Sequence, residues 1–267
     1  MIYVCIPSHN EGPTVGLLLW KIRQVFTEFS REYQLVVADD GSTDATAEVL
    51  APYARVLPLT VLTHRERQGY AATVEALLRF ALERTDRPKR DCAILMHADF
   101  AHDAASLPSL VKRIESGADV VVAQGSLTGE PSLARRLVRR WGPHLLRGRV
   151  RVAGVDDVVS GFLAFRLITL RNAFRERPGP VLRTQGWAAN AELLARAASH
   201  ARRVECVPSI ERHDLRLRSS RIDPWETARQ LWRARPLLDL PAPTHAARRA
   251  AAAEAEAEPA VPEAAAG

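Results

Sequence analysis

A chain of 267 residues with 47% hydrophobic side chains can bury a sizeable core, which marks a globular protein of one large domain or one and a half. The formal charge is +6 and the isoelectric point near 9.7; the basic residues are almost all arginine, whose planar guanidinium suits phosphates and other planar anions. Cys5, Cys92 and Cys206 are odd in number, far apart and each set in an apolar run, so they read as buried free thiols in a reducing compartment, the cytoplasm. The first residues form a strand-like segment without a basic leader, and no apolar run is long enough to span a bilayer, so there is no transmembrane segment and any membrane contact is expected to be peripheral, at the inner face.

Residues 2–7 read as a short apolar strand ending in the polar turn Ser8-His9-Asn10-Glu11-Gly12. Pro13 suits the first turn of a helix, and Val15, Leu18, Leu19, Ile22, Phe26 and Phe29 recur at helical spacing to give one buried face. Residues 35–38 form a second strand closed by Asp39-Asp40-Gly41-Ser42-Thr43-Asp44, in which the glycine supplies turn geometry and Ser42, Thr43 and Asp44 are candidate helix caps. Residues 59–62 are a third strand and 70–82 a helix with Val74, Leu77, Leu78 and Leu82 inward. The apolar run 92–96 is a fourth strand that stops at His97-Ala98-Asp99, followed by His102-Asp103. A helix over 105–116 and a valine-rich strand over 119–123, patterned for burial on both faces, complete the regular alternation.

Alternating strands and helices of this length predict an α/β fold with a mostly parallel sheet flanked by helices on both faces. In such sheets ligands bind at the carboxyl ends of strands, and the clusters 8–11, 39–40 and 97–103 all fall at such ends, so they are expected to converge on one crevice. His97 and Asp99 would project together if the strand continued through them, within reach of one cation.

After Gln124 the alternation is lost. An arginine-rich segment (Arg135, Arg136, Arg139, Arg140) precedes Asp157-Val158-Val159-Ser160-Gly161-Phe162, a strand over 162–165, a short helix over 167–174, a helix over 187–199 and a last strand over 204–207. Residues 224–235 form an amphipathic helix whose Trp225 and Trp232 are expected to pack it on the domain; the alternative is an interfacial helix with arginines drawn to anionic lipid. The segment 241–267 is mostly Ala, Glu, Pro and Arg and reads as a disordered tail. The expected organisation is therefore one domain over 1–240, regularly alternating over 1–124 and irregular over 125–240.

No Gly-x-Gly-x-x-Gly follows the first strand, no Gly-Lys-Ser/Thr loop appears and no Gly-x-Ser-x-Gly elbow is present, which disfavours dinucleotide-dependent dehydrogenases, phosphate-loop enzymes and serine hydrolases. Acidic strand ends, a His-x-Asp and a basic region downstream suit a nucleotide diphosphate held through a divalent cation.

Four motifs in order, Ile6-Pro7-Ser8-His9-Asn10-Glu11, Val37-Ala38-Asp39-Asp40-Gly41-Ser42-Thr43-Asp44, His97-Ala98-Asp99 with His102-Asp103, and Asp157-Val158-Val159-Ser160-Gly161-Phe162, resemble the signatures of family 2 glycosyltransferases. Within that family the resemblance is greatest to the dolichol- and polyprenyl-phosphate mannosyl- or glucosyltransferases. It implies a GT-A type nucleotide-sugar-binding fold, inversion at the anomeric carbon and Mn or Mg. It also implies that Pro7, Asn10, Glu11 and Asp39 line the nucleoside pocket with Asp40 nearby, on the nucleotide-sugar side, that Ala98 and Asp99 meet the metal and diphosphate, and that Ser220 and Arg221 sit near the donor phosphates. Ser160, Gly161, Trp187 and Asn190 fall on the acceptor side, within a weakened form of the group's Gly-Tyr-x-Phe-Gln-x-Glu that ends at Glu192.

His97 stands where the family places the first Asp of Asp-x-Asp, an exchange that favours Mn over Mg. Leu127 and Leu163 stand where the polyprenyl-phosphate group carries arginines, with Arg135 to Arg140 and Arg166 as candidate replacements. Where relatives place a base aspartate the chain offers Asn190, which cannot take a proton. Either the acceptor is a phosphate, already largely dianionic, or Asp157 or Glu192 acts as base toward a hydroxyl. His213 reads as a late metal ligand or as a surface histidine among arginines. The expected partners are a nucleotide-diphosphate sugar and polyprenyl phosphate at the membrane surface. A hydroxyl acceptor and a non-catalytic nucleotide-sugar-binding homologue are the alternatives; nucleic acid is not expected, because no stacking module, zinc site or helix-turn-helix is present.

Overall fold

The computed structural model describes residues 1–100, 102–128, 146, 150, 152–175, 179–212 and 224–238. Their order is β1 (Ile2–Ser8), α1 (Gly12–Glu28), β2 (Tyr33–Asp40), α2 (Thr46–Val56), β3 (Leu59–His64), α3 (Tyr70–Arg84) and β4 (Cys92–Leu95). There follow α4 (Leu107–Glu115), β5 (Val120–Thr128), β6 (Leu163–Arg166), α5 (Leu167–Arg175), α6 (Trp187–His200), β7 (Val204–Arg212) and α7 (Pro224–Ala234). The tail and the arginine-rich segment at 135–140 lie outside the described residues.

The strands form one sheet in the order β3-β2-β1-β4-β6-β5-β7. β1 pairs parallel with β2 and β4, β2 with β3, and β5 with β7, whereas β6 runs antiparallel to both β4 and β5. The expected mostly parallel sheet is thus present, and among the described strands β6, after the loss of alternation at Gln124, is the one that reverses direction. β5 and β7 extend further than their apolar runs, pairing from Val120↔Val204 to Thr128↔Arg212. Hydrophobicity marks the buried part of a strand, but the ladder's hydrogen bonds continue through polar residues.

Alternate residues of each central strand feed two cores. Tyr3, Cys5, Val36, Ala38, Ala93 and Leu95 pack under α3, α5 and α6, while Val4, Ile6, Leu35, Val37 and Ile94 pack under α1 and α4. This is why these strands read as continuous apolar runs rather than alternating ones. Val120, Val121 and Val122 are all fully buried, as a strand covered on both faces requires.

The chain passes from β3 at one edge to β4 on the far side of β1, so the sheet's switch point lies between β1 and β4. The crevice beyond their carboxyl ends, after Ser8 and Leu95, is where an open α/β sheet binds ligands. Cys5 and Cys92 are fully or nearly fully buried as expected; Cys206 is only half-buried, its thiol donating to the Gly154 carbonyl at 3.2 Å. The last helix also corrects an expectation. Leu231 and Ala234 pack inward, whereas Trp225 is 83% and Trp232 62% exposed, so most of either indole's surface lies outside the core.

Candidate active site

The loops after β1 and β2 are stitched together by their own polar side chains. Asn10 has a positive φ of 54°, which Asn tolerates better than most residues. Its side-chain oxygen accepts the N–H of Thr43 at 2.7 Å and of Asp44 at 3.4 Å, and its own N–H donates to Ser42 Oγ at 2.8 Å. The Glu11 N–H donates to Thr46 Oγ1 at 2.9 Å, and the Glu11 carboxylate accepts the Thr14 hydroxyl at 3.0 Å. Asp39, buried at the end of β2, accepts the Ser42 N–H at 3.1 Å. Pro7, Asn10, Glu11 and Asp39 are therefore neighbours on paired strand ends.

Asp40, expected near the nucleoside pocket, holds a loop. It is 4% exposed; Oδ1 accepts from His64 Nδ1 at 2.9 Å and from the Gln68 N–H at 2.7 Å, and Oδ2 accepts the Gly69 N–H at 2.9 Å. Burial raises its pKa, but these three donors outweigh burial and hold the carboxyl below the usual range. Asp40 anchors the loop between β3 and α3. Gly41 lets that loop close, because it has a φ of 62° and a Cβ there would lie 2.8 Å from the Arg67 backbone nitrogen.

At the switch point β4 ends at Leu95, so His97 and Asp99 lie on a turn beyond the strand rather than on an extended segment. Both are partly exposed, with Ala98 buried between them. The His97 ring stacks on Tyr70, centroids 5.4 Å apart and planes 11° apart, and its Nε2 lies 3.4 Å from the Tyr70 hydroxyl. That hydroxyl donates to Asn190 Oδ1 at 2.7 Å, and Asn190 Nδ2 donates to the Val159 carbonyl at 3.2 Å. Burial pushes the Tyr70 phenol well above its usual range, against the Asn190 bond and with further help from Asp99. Gly161 completes the group: a Cβ on it would meet His97 Nε2 at 2.1 Å. Ser160 is buried, its hydroxyl donating to the Ala123 carbonyl at 2.9 Å, which ties the turn before β6 to β5. Trp187 is partly buried at the start of α6.

Sequence reasoning missed Tyr70. The only signal was the Gln68-Gly69 before it, where Gly69 takes a φ of 92° to start α3.

Glu192 is a correction. It has no exposed surface: Oε2 accepts the N–H groups of Arg183 and Thr184 at 2.9 and 3.0 Å and the Thr184 hydroxyl at 2.9 Å, and Oε1 accepts Arg196. A carboxylate so filled holds its turn and is closed to an acceptor. Glu75 of α3 does the same for the Val181 and Leu182 N–H groups. Arg166 is likewise no phosphate ligand, because its guanidinium reaches Asp119 and the carbonyls of Lys89, Ile114 and Ala118. Asp157 is partly buried and lies toward Cys206, whose thiol burial, with Asp156 and Asp157, raises to about 11. His213, Ser220 and Arg221 lie outside the described residues.

Among the described residues no third His, Cys, Asp or Glu joins His97 and Asp99 in a metal-binding group. A cation bound to a diphosphate takes much of its coordination from substrate oxygens, so a carboxylate with a partly exposed imidazole is an adequate protein share for Mn and a thin one for Mg.

The family model for glycosyl transferase family 2 matches residues 3–174, which runs from β1 through the switch-point turn to the end of α5. The chain belongs to that family. It is 26% identical over 172 residues to a dolichol-phosphate mannosyltransferase of Pyrococcus furiosus, covering 62% of this chain and 46% of the relative. It is 29% identical over 120 residues to an undecaprenyl-phosphate 4-deoxy-4-formamido-L-arabinose transferase of Photorhabdus laumondii, covering 45% and 35%. The chain thus spans less than half the length of these curated family 2 relatives. Among solved structures, glucosyl-3-phosphoglycerate synthase of Mycobacterium tuberculosis superposes with a TM-score of 0.62 at 19% identity, covering 92% of this chain and 82% of the other. A complex of the same enzyme with Mn2+, uridine-diphosphate-glucose and glycerol 3-phosphate gives 0.61 at 20%, covering 89% and 78%. These likenesses establish the GT-A fold.

Proposed function

We propose that this chain transfers a sugar, with inversion, from a nucleotide-diphosphate sugar to the phosphate of a polyprenyl phosphate. The observation that carries this reading is the seat of Asn190, fixed between the Tyr70 hydroxyl and the Val159 carbonyl. An amide there neither accepts nor delivers a proton. A phosphate monoester, with a second pKa of about 6, needs none removed, whereas an alcohol does. The names of the curated relatives, which carry dolichol phosphate and undecaprenyl phosphate, support the same acceptor.

In this reading Pro7, Asn10, Glu11 and Asp39 face the nucleoside, Ala98 and Asp99 the diphosphate, and Ser220 and Arg221 the donor phosphates. Ser160, Gly161 and Trp187 line the acceptor side. Asp99 with His97 holds a divalent cation, Mn or Mg, which when bound neutralises the leaving diphosphate; the Mn2+ complexes of the structural neighbour support that use. The residues 1–124 form the donor half and 125–240 the acceptor half. The protein works in the cytoplasm, peripherally at the inner face of the membrane; among the described residues no helix is long and apolar enough to cross one.

A second reading has one specific observation behind it: the structural neighbours are named for a phosphoglycerate acceptor, a small hydroxyl compound that carries a phosphate. That chemistry would require Asp157 as base. Incubation with a panel of nucleotide sugars and Mn, with polyprenyl phosphate, a polyprenol or phosphoglycerate, separates the two. Transfer to polyprenyl phosphate alone, abolished by chelation and by Asp99→Ala, is the expected result. Transfer to phosphoglycerate that is lost in Asp157→Asn would replace the first reading by the second, and nucleotide-sugar binding without turnover would leave a binding homologue.

A further inference from the structure

Among the described residues only Asn10 and Phe100 carry a side chain at positive φ. Asparagine adopts that conformation readily, whereas a bulky residue in it is an outlier that its surroundings must hold. Phe100, at a φ of 58°, follows Asp99 directly. What holds it is burial. Met96, Ala98 and Phe100 are 0%, 2% and 7% exposed and enter the core under α1 and α4, while His97 and Asp99, which alternate with them, stay partly exposed. Lys21 of α1 stands with Nζ 5.6 Å from the centre of the Phe100 ring, close enough for a cation–π contact. The turn is tied on both sides, by the Met96 N–H donating to the Cys5 carbonyl at 3.1 Å and by Asp103, whose side chain accepts the Ala105 N–H at 3.0 Å.

We infer that Phe100 is a positioning residue for Asp99: its ring, seated under α1, holds the backbone left-handed and so fixes where the Asp99 carboxylate stands at the crevice. Rotation about the N–Cα bond of residue 100 turns everything before it against everything after it, and Asp99 is the first side chain before it. An L residue with a Cβ returns to negative φ unless something opposes the return, and here the buried ring does so. The Phe100 side chain has no polar atom to offer a nucleotide, so it acts only through its neighbour. Strain confined to the residue beside a ligand carboxylate is the pattern of a site made ready before its ligand arrives, because a ligating group is effective only when held within about 0.5 Å of its productive place. This rests on the proposed reading, in which Asp99 holds the cation of a nucleotide-diphosphate sugar.

Calorimetric titration of the full chain with uridine diphosphate and with guanosine diphosphate, each in Mn and in chelator, tests it. The quantity read is the gain in affinity that Mn supplies. Two pairs of variants separate backbone conformation from packing: Phe100→Gly against Phe100→Ala, which delete the ring alike, and Phe100→Leu against Phe100→Val, which keep the site apolar. Glycine takes positive φ freely, and leucine is less opposed to it than a β-branched residue. Phe100→Ala and Phe100→Val should therefore lose about tenfold or more of the Mn gain. Phe100→Gly and Phe100→Leu should lose no more than about threefold, with binding in chelator unchanged throughout. If the small residues unfold the chain, the Leu and Val pair decides alone. Equal gains within the pairs overturn the inference, as does a loss in chelator that matches the loss in Mn, which would make Phe100 a residue of the core only. Asp99→Ala checks the reading beneath and should abolish the gain. A gain that survives Asp99→Ala, or a parent that shows none, removes the metal assignment and this inference with it. A gain lost in Asp99→Ala but equal within the pairs removes only the role of Phe100.

Discussion

The hydroxyl of Tyr70, on the first residue of α3, donates to the side-chain oxygen of Asn190 on α6 at 2.7 Å, joining these two helices beside the crevice. Asn190 is buried, so its side-chain oxygen finds no water if the hydroxyl is removed. Tyr70→Phe should cost about 1–3 kcal/mol by urea denaturation, because it leaves the Asn190 oxygen without this donor. The same variant should lower transfer, as His97 loses the hydroxyl beside its Nε2. Unchanged stability would mean that the pair is not formed in solution.

Gly161 and His97 give a sharper test of the cleft's geometry. A methyl at position 161 would stand 2.1 Å from Nε2 and 2.6 Å from Cδ2 of His97, and 3.2 Å from Asn190 Nδ2. The ring must move, because the glycine's backbone is fixed by β6 immediately after it. Gly161→Ala should cost about 1–3 kcal/mol, and His97→Ala should relieve most of that. A thermodynamic cycle on the two substitutions is expected to show coupling of about 0.5–3 kcal/mol; additivity would place the ring elsewhere.

Much of this arrangement was legible in the sequence, for reasons that differ by element. The doubly covered sheet announces itself because Val4, Val36, Ile94 and Val121 must be apolar on both faces, and the polar clusters at strand ends converge because parallel topology brings those ends together. The direction of β6 was not legible, since Leu163 to Arg166 would read the same run either way. The roles of Asp40 and Glu192 were also hidden. A carboxylate that binds substrate and one that holds a backbone loop look identical in sequence; only the N–H groups of Gln68, Gly69, Arg183 and Thr184 around them distinguish the two. The tryptophans of α7 misled for a related reason: helical spacing identifies a stripe without saying whether it faces the core or the solvent.

The Asp40 clasp should be visible in acid. Its folded pKa is depressed below the ordinary 3.8 by His64 and the two backbone donors, which outweigh burial. The stability it contributes is therefore fully present above pH 3.8 and is lost as pH falls through the folded value. Asp40→Asn places an amide N–H against one of three donors and should cost about 1–3 kcal/mol at neutral pH. The stability curves of parent and variant, measured by urea titration, should converge below pH 3.8. A constant gap down to the acid limit would show that the carboxylate charge is not what holds the loop.

In the proposed reading, His97 makes metal preference a property of one side chain. His97→Asp restores a second oxygen ligand to the turn, which suits the harder ion. Calorimetric titration of a nucleotide diphosphate in the presence of Mg should tighten by about tenfold in the variant, with a smaller change in Mn. No change in either ion would mean that position 97 does not approach the metal and that Asp99 is the protein's whole share.

Glu192 separates structure from chemistry near the start of α6. Its carboxylate accepts from five donors: two backbone N–H groups and a hydroxyl on Oε2, and two nitrogens of Arg196 on Oε1. Glu192→Gln retains an acceptor at only one of those oxygens and turns an NH2 toward donors at the other. Arg196 is 4% exposed and would lose its carboxylate partner in the interior, so a cost of about 3–5 kcal/mol is expected by urea denaturation. Replacing both partners, Glu192→Gln with Arg196→Met, should recover part of that loss, because the uncompensated charge is gone. A catalytic base would behave in the opposite way: Glu192→Gln would fold as stably as the parent while kcat fell by orders of magnitude, and Arg196→Met would rescue nothing. The fully buried carboxylate leads us to expect the first pattern.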